Sequence, residues 1–271
     1  MPIPFSTLKY KLITQLWKLA RVERWLHQIP FLHHWLKSSL DTSPDDNDAT
    51  LIPIRAVVEQ GTNTVLPYPI LQPLIELAQG HFLLDRCPCR SAEGCHAYPR
   101  DFGCLYLGPA VNDIPPAVGR KVSASEAMRH LTQGIQLGLV PMIVHARFDA
   151  EMLSIDYTQM LAVCFCCDCC CTVRHHLRMG PSSFDETIHR LPGLTVRVQE
   201  NCIACSQCAE QCPVHAISIG ESAMIDQETC IGCGLCQAVC PVDAIQLHIE
   251  DSDKAIEDIY RRIRARTRIG G

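Results

Sequence analysis

The sequence predicts an α+β protein: a cysteine-rich α/β middle domain followed by a small C-terminal domain of short strands and turns. Three observations lead there. A run of twelve residues, CIACSQCAEQCP at 202–213, returns 28 positions later as CIGCGLCQAVCP at 230–241, and short β-branched runs bracket both copies. All eighteen cysteines lie beyond residue 86 and fall in four tight bundles. Between the bundles, helical and strand-like apolar patterns alternate. An apolar content of 47% over 271 residues is enough for a real core and excludes a disordered or collagen-like chain.

Residues 1–40 carry +5 and place Phe5, Leu8, Leu12, Leu16, Leu19, Leu26 and Ile29 near helical spacing, with Lys9, Lys11, Lys18, Arg21 and Arg24 off that stripe. Pro30 stops the expected helix. Trp17, Trp25 and Trp35 all lie here, so the segment suits an anionic membrane surface, a groove on a partner protein, or the protein's own core. Its charges also break up any secretory signal. Residues 41–50, DTSPDDNDAT, read as a solvated acidic linker.

Residues 51–192 form the cysteine-rich domain. Ser123 or Ser125 caps a helix running towards Gly138, Ser123 making a capping box with Glu126, and Val140–Val144 reads as a buried strand. This pattern leaves α/β and α+β topologies open. Leu131–Val144, the longest charge-free apolar stretch, is too short to span a bilayer and is broken by Gly134, Gly138 and Pro141. Residues 193–253 hold the repeat, with strand-like runs at 195–198, 216–219, 223–226 and 244–249. Residues 199–253 carry −9 with no Lys or Arg, and the Arg-rich tail at 254–271 carries +4. That tail suits acidic protein, lipid or nucleic acid, or a solvated end; no nucleic-acid-binding fold accompanies it, and no nucleic acid is expected.

Both copies of the repeat read C-x2-C-x2-C-x3-C-P, the bacterial iron–sulfur spacing in which the fourth cysteine of each run ligates the other cluster. Two-residue gaps let a tight loop aim three thiolates at one cubane, and the fourth thiolate points away. The inferred wiring is Cys202, Cys205 and Cys208 with Cys240 on one cluster, and Cys230, Cys233 and Cys236 with Cys212 on the other. The segment resembles the bacterial two-cluster ferredoxins throughout, down to CPVHAI and CPVDAI after each fourth cysteine. The resemblance implies a ferredoxin-like fold, two 4Fe–4S clusters and single-electron transfer between redox partners. A pair of zinc sites is the competing explanation, disfavoured by the duplication and both prolines.

The other ten cysteines are Cys87, Cys89, Cys95 and Cys104 in RCPCRSAEGCHAYPRDFGC, and Cys164, Cys166, Cys167, Cys169, Cys170 and Cys171 in CFCCDCCC. Neither spacing specifies a cofactor. The two bundles are expected to fold together and share ligands, holding one or two further iron–sulfur clusters, with a zinc site or redox-active thiols as alternatives. Neighbouring side chains such as those of Cys166 and Cys167 diverge, so some thiols of CFCCDCCC should face one site and some another. Arg86, Arg90, Arg100, Arg174 and Arg178, with His175 and His176, flank the bundles and are suited to stabilising anionic clusters. His96 and His145 are candidate non-cysteine ligands, more readily read as structural. The two segments look like those in little-described iron–sulfur proteins of anaerobes. The cysteine-rich motif of heterodisulfide reductases differs in separating its cysteine pairs widely.

No nucleotide, flavin, hydrolase or radical-enzyme fingerprint is present. The expected function is a polyferredoxin-like subunit that relays single electrons to or from a partner redox enzyme, oxygen-sensitive and cytoplasmic or peripheral on the cytoplasmic membrane face. The alternatives are a reductase with a substrate-binding cluster in the middle domain, fed by the C-terminal clusters, and an interaction protein with structural or oxygen-sensing clusters.

Overall fold

The computed structural model describes residues 44–58, 66–178 and 185–270, together with Tyr10, Leu12, Gln15 and Leu16. Apart from those four positions the expected N-terminal helix lies outside the described residues. The chain is α+β. Its larger sheet has six strands in the order β1 (Asn47–Leu51), β6 (Val140–Ala146), β7 (Leu161–Cys166), β4 (Leu105–Leu107), β3 (His81–Leu84) and β5 (Gly119–Lys121). Every pairing in it is antiparallel, which resolves the open topology of the middle domain as α+β and sets aside a parallel α/β arrangement.

Both faces of this sheet are covered, and side-chain alternation decides which residue meets which layer. From β7, Leu161, Val163 and Phe165 enter one core, whereas Ala162 and Cys166 enter the other. The first face is packed by α1 (Pro67–Leu77) and α3 (Ala124–Gln136), joined by the Tyr68 hydroxyl donating to Thr132 Oγ1 at 3.3 Å. Helix α3 starts on the expected capping box: Ser123 Oγ accepts the Glu126 N–H, and Glu126 reaches back to the Ser123 N–H. The short α2 (Pro88–Glu93) starts at Cys87, and α4 (Arg147–Leu153) covers part of the second face with Ala150, Met152 and Leu153. Helix α5 (Thr172–Leu177) follows the second cysteine bundle directly.

The C-terminal module contains β8 (Leu194–Val198), α6 (Gln207–Gln211), the hairpin of β9 (Ile217–Ile219) and β10 (Ala223–Ile225), α7 (Leu235–Ala238) and β11 (Ile245–Ile249). β11 pairs antiparallel with β8, and on its other edge it accepts β2 (Val57–Val58) in parallel.

Two expectations are corrected. The end of the expected solvated linker, residues 47–50, is not solvated, because Asn47–Leu51 is a fully buried edge strand. Asp48, only 5% exposed, is ion-paired to Arg262 and lies 3.6 Å from Arg266. The Arg-rich tail is not a free end either. It forms α8 (Ser252–Arg266), whose Ala255, Ile259 and Ile263 are buried, and the Tyr260 hydroxyl donates to the Ile70 carbonyl at 3.2 Å. Asp46 and Asp48 read as solvated because their counter-charges, Arg147 and Arg262, lie 101 and 214 residues away.

Candidate metal centres

The sulfur sites of the module are built by the repeat. Left-handed backbone recurs at the same place in each copy: Ala204 and Gly232, Ser206 and Gly234, His215 and Asp243, each pair 28 residues apart. Alternating right- and left-handed residues turn consecutive N–H groups towards one concave side, a nest for anionic sulfur. The N–H of Gly232 donates to Cys230 Sγ at 3.4 Å, and those of Ala216 and Ala244 donate to Cys212 and Cys240 Sγ at 3.3 and 3.2 Å. Hydrogen bonds from the Ala223 and Ala204 backbone hold the Cys202 thiol below its usual range.

Two separate concavities result. One is lined by Cys202, Cys205, Cys208 and Cys240, and the other by Cys230, Cys233, Cys236 and Cys212. The structure thus brings the fourth cysteine of each run to the opposite site. The two differ in depth. Cys205 is exposed and its neighbour Ile203 is 60% exposed, whereas Cys212, Cys233 and Cys236 are buried. Burial and the thiolates of Cys233, Cys230 and Cys212 push the Cys236 thiol up.

The two bundles of the middle domain also come together, and they sort into six and four. Cys87, Cys89, Cys104, Cys164, Cys166 and Cys171 line a cavity of about 110 Å³ on the second face of the sheet, with Asp149, Arg90 and Thr172 in the same wall; Cys167 also borders it, though its Sγ belongs to the second group. Cys164 and Cys166 reach it as alternate residues of β7, Cys104 precedes β4, and Cys87 and Cys89 come from the start of α2. Cys166 and Cys171 Sγ are 3.3 Å apart. Hydrogen bonding with Cys166 and the Arg174 charge lower Cys171 to about 6 despite its burial. Hydrogen bonding with Cys104 and burial push Cys87 up to about 12. Burial raises Asp149 from 3.8 to about 6. Tyr10 packs against this second core, and burial pushes its phenol up, with Cys104 and Cys87 adding to the shift.

The remaining thiols, Cys95, Cys167, Cys169 and Cys170, meet on the other side of the CFCCDCCC segment with all four Sγ atoms within 4.8 Å of one another. Cys166 and Cys167 diverge as alternation requires. Cys169 and Cys170 do not, because the chain turns at 168–170 and no longer alternates.

The arginines fare differently. Arg90, 1% exposed, donates to the carbonyls of Pro99 (2.8 Å), Phe165 (2.7 Å) and Phe102, locking α2 to the end of β7. Arg178 donates to Gln211 and so ties α5 to α6. Arg86, Arg100 and His96 lie exposed around a surface groove whose described lining contains no cysteine. His145 is buried, stacks on Tyr157 and hydrogen-bonds its carbonyl at 2.8 Å, a structural histidine. His175 Nε2 bonds the Cys169 carbonyl, and His176 Nδ1 bonds that of Thr172.

Arg174 is the exception. It is 2% exposed, yet Nε, Nη1 and Nη2 have no hydrogen-bond partner among the described residues. Its charge acts on Cys166 and Cys171 on one side and on Cys233 on the other. A buried guanidinium without a partner is costly unless anions surround it. Metal-bound thiolates on both sides would be such anions, so these residues fit iron–sulfur cofactors.

No curated protein matches the chain. The profile of a family described as a 4Fe-4S dicluster domain matches residues 195–247. With that match over the repeat and the cysteines gathered as described, the chain is an iron–sulfur protein with a role in electron transfer.

Proposed function

We propose that the protein is a fixed relay that takes single electrons from a soluble donor at its C-terminal module and passes them inward to the six-cysteine cavity, serving a partner redox enzyme. Each 4Fe–4S cluster supplies one reversible one-electron step when bound. Cys202, Cys205, Cys208 and Cys240 would hold the outer one, and Cys230, Cys233, Cys236 and Cys212 the inner one. The six cavity thiols would hold a further iron–sulfur assembly, for which a single cubane leaves two thiols over.

The observation that carries the reading is Arg174, which joins the inner module site to the six-thiol cavity through one buried positive charge. The gradient of burial supports the direction. The outer site is exposed at Cys205 and Ile203, and exposed Glu200, Glu210 and Glu228 belong to the same acidic module. An apolar spot on an acidic surface suits a basic docking partner and long-range steering.

Anaerobically purified full-length protein is expected to hold about 8 iron atoms in the module and further iron in the cavity, with matching acid-labile sulfide. Its reduction by a basic donor protein should slow steeply as the Debye length falls from ~30 Å to ~10 Å between 0.01 and 0.1 M salt. Rates indifferent to salt, or unchanged when Glu200, Glu210 and Glu228 are neutralised, would place electron entry elsewhere. Iron that does not undergo reversible reduction would remove the relay.

A reductase reading has one observation behind it. Asp149 and Thr172 share the cavity with the six thiols, so a proton source and a hydroxyl stand where a substrate could meet the cofactor. A change in the cavity's electron paramagnetic resonance signal on adding cyanide, without change in the module signals, would favour it.

A further inference from the structure

The thiols of Cys95, Cys167, Cys169 and Cys170 form a group of their own, although Cys167 also borders the relay's cavity. We infer that they form a mononuclear site for one Zn²⁺ ion, a structural clip rather than an electron carrier. The spacing of the sulfurs carries the argument. Zn–S bonds of about 2.3 Å in a tetrahedron place the sulfurs about 3.8 Å apart. All four Sγ atoms lie within 4.8 Å of one another, and Cys95 and Cys169 Sγ are 3.6 Å apart. A cubane puts each thiolate on a different iron and spreads them farther.

The structure supplies its own comparison. Among the described residues this is the one group of three or more Cys, His or acidic side chains with ligand atoms this close. The eight cysteines of the module, whose spacing is that of 4Fe–4S ligands, do not draw together to this degree. Neither do the six thiols around the cavity. One chain therefore contains tight and open sulfur sites side by side, and tetrahedral S₄ coordination is the geometry of zinc.

Position says what the ion would do. Cys95 follows the end of α2, and Cys167–Cys170 is the turn after β7, so the ion would join segments more than seventy residues apart. The Cys170 N–H donates to Cys167 Sγ at 3.3 Å, and His175 Nε2 bonds the Cys169 carbonyl at 3.0 Å, fixing the turn from outside the sulfur shell. Cys166 and Cys171, the residues flanking the turn, are held on the cavity side. The clip thus decides which thiols of CFCCDCCC face the cavity. Zn²⁺ has no redox chemistry, and its binding releases the thiol protons to solvent.

The test uses full-length protein purified anaerobically, with metals measured by mass spectrometry. About one zinc per chain is expected beside the iron. Cys95→Ser and Cys169→Ser should each lose that zinc while the visible and paramagnetic signals of the module persist. Co²⁺ exchanged for the zinc should give the absorption bands of tetrahedral thiolate coordination, absent in both variants. Cys169 is exposed, so its serine variant keeps the test open should Cys95→Ser be insoluble. Loss of about four iron atoms instead of zinc would identify a cubane and overturn the inference. Zinc retained in both variants would place it elsewhere and do the same. Failure of the relay would appear differently, as module iron that is absent or not reducible with the zinc unchanged.

Discussion

Replacing Arg174 with methionine removes a charge while keeping an unbranched side chain of similar reach in a site that is 2% exposed. The guanidinium nitrogens have no hydrogen-bond partner among the described residues, so the substitution breaks no hydrogen bond there. What it removes is attraction to the sulfur around Cys166, Cys171 and Cys233. At an effective dielectric constant near 20, one charge pair is worth about 4 kcal/mol at 4 Å and about 2 kcal/mol at 8 Å. Each reduction adds one electron, and 59 mV corresponds to about 1.4 kcal/mol for a one-electron couple. The reduction potentials of the inner module site and the cavity site should therefore fall by about 80–170 mV. Those of the outer site should move far less. The assay is a redox titration of anaerobic protein followed by electron paramagnetic resonance, with Arg174→Lys as the charge-retaining control. Stability gives a second readout. A buried pair broken on one side typically costs about 3–5 kcal/mol, whereas removing an uncompensated charge stabilises. Potentials unmoved beyond about 20 mV, together with a variant more stable than the parent, would show that Arg174 faces neutral thiols and joins nothing.

Three further outcomes follow from the geometry. Cys212→Ser should disturb the signal of the site shared with Cys230, Cys233 and Cys236 and spare that of Cys202, Cys205 and Cys208, as resolved spectra of the reduced protein would show. Arg262→Ala strands Asp48, which retains Arg266 at 3.6 Å and His189 at 3.5 Å, so chemical denaturation should register a loss of about 2–4 kcal/mol, recovered in part by adding Asp48→Asn. Asp149, raised from 3.8 to about 6 by burial, binds its proton more tightly folded than unfolded, so its contribution is full below pH 3.8 and is lost as pH rises through 6. Between pH 5.5 and 7.5 the parent should lose up to about 1 kcal/mol on this account, and Asp149→Asn should flatten that slope in denaturation series at the two pH values.

What the sequence reveals divides along a physical line. Local signals were legible: the Ser123–Glu126 capping box starts α3, Val140–Val144 lies within β6, and the runs flanking the cysteine repeat are β8 to β11. Alternation along β7 also foretold that CFCCDCCC would split its thiols between two sites. Long-range pairing was not legible. Asp48 reads as one of four solvated aspartates until Arg262 is folded against it. The tail held a usable signal, because Ala255, Ile259 and Ile263 recur at four-residue intervals and mark a helix with a buried stripe. The density of arginine around them masked it. Which cysteines join Cys95, and that Arg174 would lie between two sulfur sites, depends on the docking of α2, β7 and the module, and no spacing in the chain encodes that docking.

The exchange of segments between the two halves of the chain carries a mechanical consequence. Val57–Val58, from before the larger sheet is complete, supplies an outer strand to β11 of the module, and α8 leaves the module to pack against the other half. Neither half is a detachable cartridge. Excising residues 193–253 would bare the edge of β11, with its N–H and C=O groups unsatisfied along that side. The same cross-bracing forbids the module from swinging on a tether between donor and acceptor. Electrons would cross gaps of constant width, so turnover in such a protein would be set by how donors dock and depart rather than by any stroke of the carrier itself.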